Sequence, residues 1–270
     1  MAAIALQSAA SGLRALSTRL DVVANNLANV NTEGFKASRA NFQDLYYVER
    51  QQPGVETATG DQRPTGLYVG LGVKVSGTQV NFEQGAPIET GNDLDIYIEG
   101  DGFFQVQVED AIAPGGIAYT RAGNFTLNAD GEIVLANSEG RRLVPNIAIP
   151  DGALRPIEIS ADGRVWVREA GQDGLQEVGQ IELATFINNK GLKQLGNNLF
   201  AETIASGPPQ EGVPLEDSRG GLRNNALESS NVDPTKELIE LIRTQRAFEM
   251  NSQSIRTADE ALSTIAQLRR

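Results

Sequence analysis

Leu6, Leu13, Leu20 and Leu27 recur every seven residues near the N-terminus, and Ala9, Leu16, Val23 and Val30 keep the same period three positions on. Near the C-terminus, Leu241, Phe248, Ile255 and Leu262 repeat the spacing, with Ala258 and Ile265 in part of a second row. A period of seven with an offset of three is the seam of a helix that needs a partner helix along its length. Between the seams lies a long glycine-punctuated, β-looking stretch. Two helical ends around a β-rich middle predict a subunit that packs through its ends and becomes fully ordered in an assembly.

Charge follows the same division. Residues 1–35 carry Arg14 and Arg19 against Asp21 and Glu33, and residues 233–270 carry six basic and six acidic side chains. Both ends are neutral, which leaves 15 basic and 27 acidic side chains, and so the whole net charge of −12, in the middle. Neutral ends can pack densely against copies of themselves, whereas an acidic middle prefers water. The acidic balance, with a pI near 4.6, argues against a nucleic-acid binder, whose phosphate contacts need a basic surface.

The chain has no cysteine and no histidine. Disulfides, thiol chemistry and cysteine-ligated metals are excluded, and the commonest general base and zinc ligand are missing. No run approaches a membrane span, so no membrane insertion is expected. The first twenty residues lack a basic segment before an apolar run and do not read as a cleaved secretory signal.

Residues 3 to about 30 read as one helix, about 42 Å long at about 1.5 Å per residue. Asn25, Asn26, Asn29 and Asn31, followed by Thr32, Gly34 and Phe35, end it. Asparagine and glycine tolerate the left-handed backbone a helix terminus needs, and so dense a set of amides predicts a specific packing corner. From Lys36 to Val80 clear periodicity is lost. Tyr46, Tyr47, Pro53, Gly54, Pro64, Gly66 and Leu67 stand among polar and β-branched residues, which reads as a long hairpin or extended arm. Residues 81–225 read as a β domain: Phe104, Val106 and Val108 alternate with polar neighbours, and Asp-Gly pairs at 101, 130, 151, 162 and 173 mark turns. The last helix opens with Asp233 as cap and Pro234 in the first helical position, and runs to about Leu268. The expected fold is α+β, with coiled-coil-type terminal helices packed together, a β-rich middle domain and a hairpin arm. Its parts are 1–35, 36–80, 81–225 and 226–270.

No constellation reads as a catalytic, cofactor or metal site. Asp93 and Asp95 could form an acid/base pair, but they sit two apart on a strand whose other side carries Leu94, Ile96 and Ile98, so a solvated strand edge accounts for them. The NADGE and SADGR segments lack the spacing of a calcium loop and read as turns. The glycines of GLYVGLGV open no helix and do not make a dinucleotide fingerprint. Trp166 reads as core or strand-face packing.

The motif-like strings point elsewhere. Ala24-Asn25-Asn26-Leu27-Ala28-Asn29-Val30-Asn31-Thr32-Glu33-Gly34-Phe35-Lys36 resembles the N-terminal signature of the rod and hook proteins of the bacterial flagellum. Thr90-Gly91-Asn92-Asp93-Leu94-Asp95 with Gly100-Asp101-Gly102-Phe103-Phe104, and Tyr119-Thr120-Arg121-Ala122-Gly123-Asn124-Phe125, are similar to two further motifs of that family. Leu227-Glu228-Ser229-Ser230-Asn231-Val232-Asp233 and Gln245-Arg246-Ala247-Phe248-Glu249 resemble its C-terminal region.

The resemblance implies a non-enzymatic structural subunit without cofactors, at the distal part of the rod given the long arm, with a proximal rod or hook-type component as the alternative. It further implies a helical homopolymer with the terminal helices lining a hollow shaft that crosses the periplasm. The implied partners are proximal rod proteins, the hook protein, the surrounding outer-membrane and peptidoglycan ring proteins, and the flagellar type III export apparatus. In this reading Leu6, Leu13, Leu16, Leu20, Val23, Leu27, Leu241, Phe248, Ile255 and Leu262 form the assembly seam, and the arm from Tyr46 to Leu67 bridges subunits.

Overall fold

The computed structural model describes residues 2–55, 62–150, 152–169 and 174–268. Asp151 and Asp173, the far end of the predicted arm at 56–61, and the side chain of Leu262 lie outside the described residues. The chain is mixed α and β, with a helix at each end and a strand-rich middle. It divides into two compact units: the first takes Met1–Ala28, Ser38–Val80 and Asp233–Arg270, the second Asn29–Ala37 and Asn81–Val232.

In the first unit, α1 (Ala2–Ala28) and α2 (Pro234–Leu268) run antiparallel. Arg19 pairs with Glu240. Further along, Asn26 hydrogen-bonds Glu237. Toward the other end, a Cβ placed on Gly12 would lie 3.2 Å from Asn251 Nδ2. The α2 terminus forms as its residues dictate: the Asp233 carboxylate accepts the backbone N–H of Thr235 (3.0 Å) and Lys236 (3.2 Å), two donors that the helix itself leaves open. The backbone bond from Lys236, first among the causes, holds the Asp233 carboxyl below its ordinary range.

Two antiparallel ladders complete this unit. β1 (Ser38–Asp44) pairs with β4 (Val73–Val80), with a register shift at Asn41/Phe42, and β2 (Tyr47–Gln51) pairs with β3 (Leu67–Gly70). Both ladders are fastened to α1 by polar groups. Ser11 Oγ accepts the Val73 N–H at 3.1 Å, and Ser8 Oγ donates to the Gly70 carbonyl. Gly72 makes this approach possible: its φ is +116°, and a Cβ would stand 2.1 Å from Ser11 Oγ.

The second unit is built on a seven-stranded sheet. Six strands lie in the order Lys193–Gly196, Leu199–Ala201, Ile117–Thr120, Phe103–Gln107, Leu183–Thr185 and Gln210–Gly212, and Leu143–Val144 also pairs with Phe103–Gln107. A three-stranded meander, Ala153–Ile159, Arg164–Glu169 and Leu175–Gln180, lies in the same unit. The main core gathers Ile96, Ile98, Phe104, Val106, Leu143, Ile181 and Leu183 with the inward residues of the meander, Val165 and Val167. A second cluster holds Phe103, Tyr119, Phe186 and Phe200. Its rings meet edge to face, Tyr119 and Phe186 at 4.8 Å between centroids, a geometry worth about 0.5–1.5 kcal/mol beyond area burial.

The strand at Phe103–Gln107 is therefore covered on both faces. The alternation of Phe104, Val106 and Val108 with polar neighbours predicts a half-buried strand, but Gln105 is as buried as its apolar neighbours. Phe103 and Phe104 face different clusters, which is how one strand comes to serve two layers.

Candidate assembly surfaces and the motif cluster

The helices of the first unit present two different faces. Ala15 and Val23 of α1 are buried, and Leu6, Leu13, Leu16, Leu20 and Leu27 are half-buried. On α2, Leu241 and Ile255 are half-buried, Thr244 is buried, and Phe248 is 37% exposed. The Thr244 hydroxyl is satisfied by the Glu240 carbonyl at 2.7 Å, so a polar residue occupies the seam without leaving a donor open. On the opposite face of α2, Leu238, Ile239, Ile242 and Met250 stand in solvent, Met250 at 64% exposure. This row follows from helical geometry, since 238 and 242 are one turn apart, and the heptad reading passed over it.

The β2–β3 ladder is the other open surface. Tyr46 is 89% exposed, and Tyr47, Val48, Leu67 and Tyr68 are also solvent-facing. Pro53, Gly54 and Pro64 are exposed and Gly66 is half-buried. Gly54, at φ +81°, turns the chain and donates its N–H to Arg63 O at 2.8 Å. A Cβ on Gly66 would stand 2.8 Å from the Gln51 carbonyl, so this ladder closes because that residue has no side chain. Between α1 and β4 lies a largely apolar cavity of about 450 Å³, walled by Ala10, Ser11, Ala15, Leu45 and Val75, with Arg14 among its lining residues.

The asparagines have distinct places. Asn26, 1% exposed, clamps Ser38: its Nδ2 donates to the Ser38 carbonyl (2.8 Å) and its Oδ1 accepts the Ser38 N–H (2.9 Å). Asn29 Oδ1 accepts the Thr32 hydroxyl at 3.1 Å, while Asn25 and Asn31 are exposed. Gly34, at φ +67°, donates to Glu228 O at 2.8 Å, and a Cβ there would strike the Ala122 backbone at 2.7 Å. Phe35 is half-buried, and its carbonyl accepts from the Asn231 N–H.

Three of the motif strings meet inside the second unit. Lys36 from the first, Arg121 from the third and Glu228 from the last are 2%, 3% and 2% exposed. Lys36 Nζ lies 2.6 Å from Glu228 Oε1 and also donates to the Glu83 carbonyl at 2.8 Å. Arg121 Nη1 is 3.6 Å from Glu228 Oε2, Nη2 donates to Gly100 O, and the guanidinium lies over the Phe103 ring. The Gly85 N–H adds a second hydrogen bond to the Glu228 carboxylate, at 2.8 Å. Burial, the largest cause, pulls both the Lys36 ammonium and the Arg121 guanidinium below their ordinary values, and the Glu228 charge opposes it.

Sequence reasoning quoted these residues as motif letters and gave them no role. The pairing joins positions 192 apart, so composition and periodicity carry no trace of it. The acidic cluster needs one correction. Asp95 is buried, with Asn92 Nδ2 bonded to its carboxylate at 2.8 Å, so it is not part of a solvated edge. Asp93 is half-buried, and Glu99 and Asp101 face solvent. Among the described residues no group of three or more acidic side chains could hold a metal ion, and no helix is long and apolar enough to cross a membrane.

The chain thus combines an acidic strand-rich unit, a pair of terminal helices and motif strings, three of which converge on one buried ion cluster. Family models match along the chain: the flagella basal body rod protein at residues 6–36, the flagellar hook protein FlgE/F/G D1 domain at 97–167, and the flagellar basal body rod FlgEFG protein C-terminal region at 223–268. The chain is 44% identical to the flagellar basal-body rod protein FlgG of Agrobacterium fabrum over 97% of its own length and 98% of that protein's. It is 44% identical to FlgG of Caulobacter vibrioides over 98% and 99%. The flagellar basal-body rod protein FlgF of the same bacterium is 34% identical over 94% of this chain and 93% of its own. The chain belongs to the flagellar basal-body rod protein family, and it is a structural subunit of the flagellar rod, not an enzyme.

Proposed function

We propose that this chain forms the distal part of the rod, with copies stacking helically through the first unit into a hollow, stiff shaft. The observation that carries this reading is that open apolar side chains are concentrated on two elements of the first unit. The outward row Leu238, Ile239, Ile242 and Met250 on α2 and the tyrosines of the β2–β3 ladder both belong to the first unit. Contiguous apolar side chains in water mark a surface that a partner covers. A subunit that offers one such surface to a different surface on its neighbour makes a heterologous contact, which propagates into a helical filament.

In this account α1 and α2 form the coiled-coil-type layer around the bore. The ladder from Tyr46 to Leu67 is an arm that bridges neighbours, and Asn25, Asn26, Asn29 and Asn31 with Gly34 and Phe35 set the corner at the end of α1. The cavity beside Ala10 and Ala15 offers a receiving surface for an apolar side chain of the next copy. The shaft crosses the periplasm, transmits torque to the hook and passes export substrates. Its neighbours are proximal rod proteins, the hook protein and the peptidoglycan and outer-membrane rings. It is delivered by the flagellar type III apparatus without a cleaved signal.

A proximal position is the second reading, since the chain is also 34% identical to a second basal-body rod protein, FlgF. Electron microscopy of basal bodies from cells lacking the gene separates the two. The distal assignment predicts a short proximal stub without outer rings or hook. Absence of any rod supports the proximal reading, and an intact structure overturns both.

A further inference from the structure

The chain passes between the two units four times, at residues 28/29, 37/38, 80/81 and 232/233. Within the second unit, three of these crossing points are bound by one side chain. Asn231 Oδ1 accepts the Ala37 N–H at 2.7 Å, and its Nδ2 donates to the carbonyls of Asn81 (2.8 Å) and Glu83 (2.9 Å). The Asn81 N–H in turn donates to Ala37 O at 2.8 Å. Immediately beside this node, Glu228 binds the same segments through its charge: Lys36 on the first, Gly85 on the second and Arg121 from the sheet.

We propose that Asn231 and the Lys36–Glu228–Arg121 cluster form a clasp that ties segments 33–37, 81–86 and 226–231 into one body and closes last in folding. The first argument is saturation. An asparagine side chain has one acceptor and two donor hydrogens, and here all three functions are spent on backbone groups of two other segments. Aspartate keeps the acceptor and loses both donors, and serine cannot span the set.

The second argument is sequence distance. Segment 33–37 pairs with residues about 190 positions later, at Gly34 to Glu228 and Ala37 to Asn231. The residues between can complete their own sheet beforehand, because the pairings among Phe103–Gln107, Ile117–Thr120 and Leu183–Thr185 need nothing from either end. Closing the longest loop after the shorter ones is the order chain entropy favours. The clasp thus withholds a fixed connection at the end of α1 until the segment leading into α2 has arrived. In a rod subunit this keeps an incompletely delivered chain from presenting a finished shape. That consequence rests on the assembly reading, whereas the clasp itself can be tested in the free chain.

The test is hydrogen exchange on the full-length monomer, with Asn231→Ala and Glu228→Gln as variants. Asn231→Ala removes one hydrogen-bond node without creating a buried charge, so the sheet is expected to survive it. We expect exchange at Ala37 and Asn81 to rise at least tenfold in that variant, while Val106 and Ala118 in the sheet keep their protection. Glu228→Gln keeps an acceptor for Gly85 but removes the charge that pairs with Lys36, and is expected to raise exchange at Gly34 while Gly85 stays protected. In pulse-labelled refolding of the unaltered chain, Gly34, Ala37 and Gly85 should gain protection after Val106. Unchanged exchange at Ala37 in the alanine variant overturns the clasp. An equal rise across the sheet overturns it too, since the residues would then only contribute to global stability. Protection of Ala37 before Val106 overturns the order of closing. Rod formation by the monomer, measured separately by electron microscopy, fails independently if the assembly reading is wrong.

Discussion

The two units spend their apolar residues differently. The second gathers most large side chains of its sheets in two clusters and turns even a lysine, an arginine and a glutamate inward, and what it leaves exposed, such as Ile88, Leu154, Leu175, Ile187 and Ile204, is scattered over separate strands and loops. The first leaves leucine, isoleucine, methionine and tyrosine side chains in water along one face of α2 and on the β2–β3 ladder. A unit that gathers its apolar side chains into its own core holds together alone, while one that leaves rows of them open is completed by a neighbour. The contrast separates folding from assembly and predicts that substitutions in the two units fail in different ways.

The largest effect belongs to the ion cluster. Glu228→Ala leaves two buried cations without a counter-charge and is expected to lower stability by about 3–5 kcal/mol, read in chemical denaturation of the second unit. An unchanged midpoint would mean that water already reaches the cluster. Next come the seam leucines. Leu20→Asp or Leu27→Asp sets a carboxylate on the half-buried row of α1 proposed as the seam, at about 1–3 kcal/mol. It should abolish rods while leaving the near-ultraviolet signature of the second unit intact. Normal rods from either variant would sink the seam.

Smaller effects sharpen the picture of α2. Asp233→Ala strips the cap from two backbone N–H groups and should cost about 1 kcal/mol of helix stability in thermal circular dichroism. The smallest is a pH effect at Glu237. Burial first, then the neighbouring Glu240 and Asp233 charges, hold its carboxyl above the ordinary range, against the hydrogen bond from Asn26. The folded chain keeps this proton where the unfolded chain has lost it, so its contribution to stability falls as pH rises from the ordinary glutamate value through the folded one. Helix melting should therefore be higher at pH about 5 than at about 7 on account of this residue. Glu237→Gln should remove that part of the slope, and an identical slope in the variant would reject the assignment.

Local signals carried much of the fold. The heptads placed two helices, expected at 3 to about 30 and ending near Leu268, and found at Ala2–Ala28 and Pro234–Leu268. Asp233 and Pro234 marked the start of α2 because capping needs only neighbours in sequence. The Asp-Gly pairs at 130 and 162 put Gly131 and Gly163 at φ +77° and +85°, again a local requirement. What the residues could not reveal was long-range. Gln105 and Asp95 look solvated from their own strands and are buried by segments distant in sequence. Lys36, Arg121 and Glu228 look like three surface charges until the chain brings them together. The outward row on α2 was legible in principle, since Leu238 and Ile242 are one helical turn apart, but the seven-residue period drew the reading to the other face.

The claim that the first unit is completed by its neighbours is tested most directly on that outward row. Leu238→Ser with Ile242→Ser removes side chains that are 46% and 48% exposed in the free chain and should change monomer stability by no more than about 1 kcal/mol. Electron microscopy of basal bodies from cells carrying the double variant is predicted to show no distal rod while the soluble subunit melts normally. Full-length rods from that variant, with the monomer equally stable, would contradict the account.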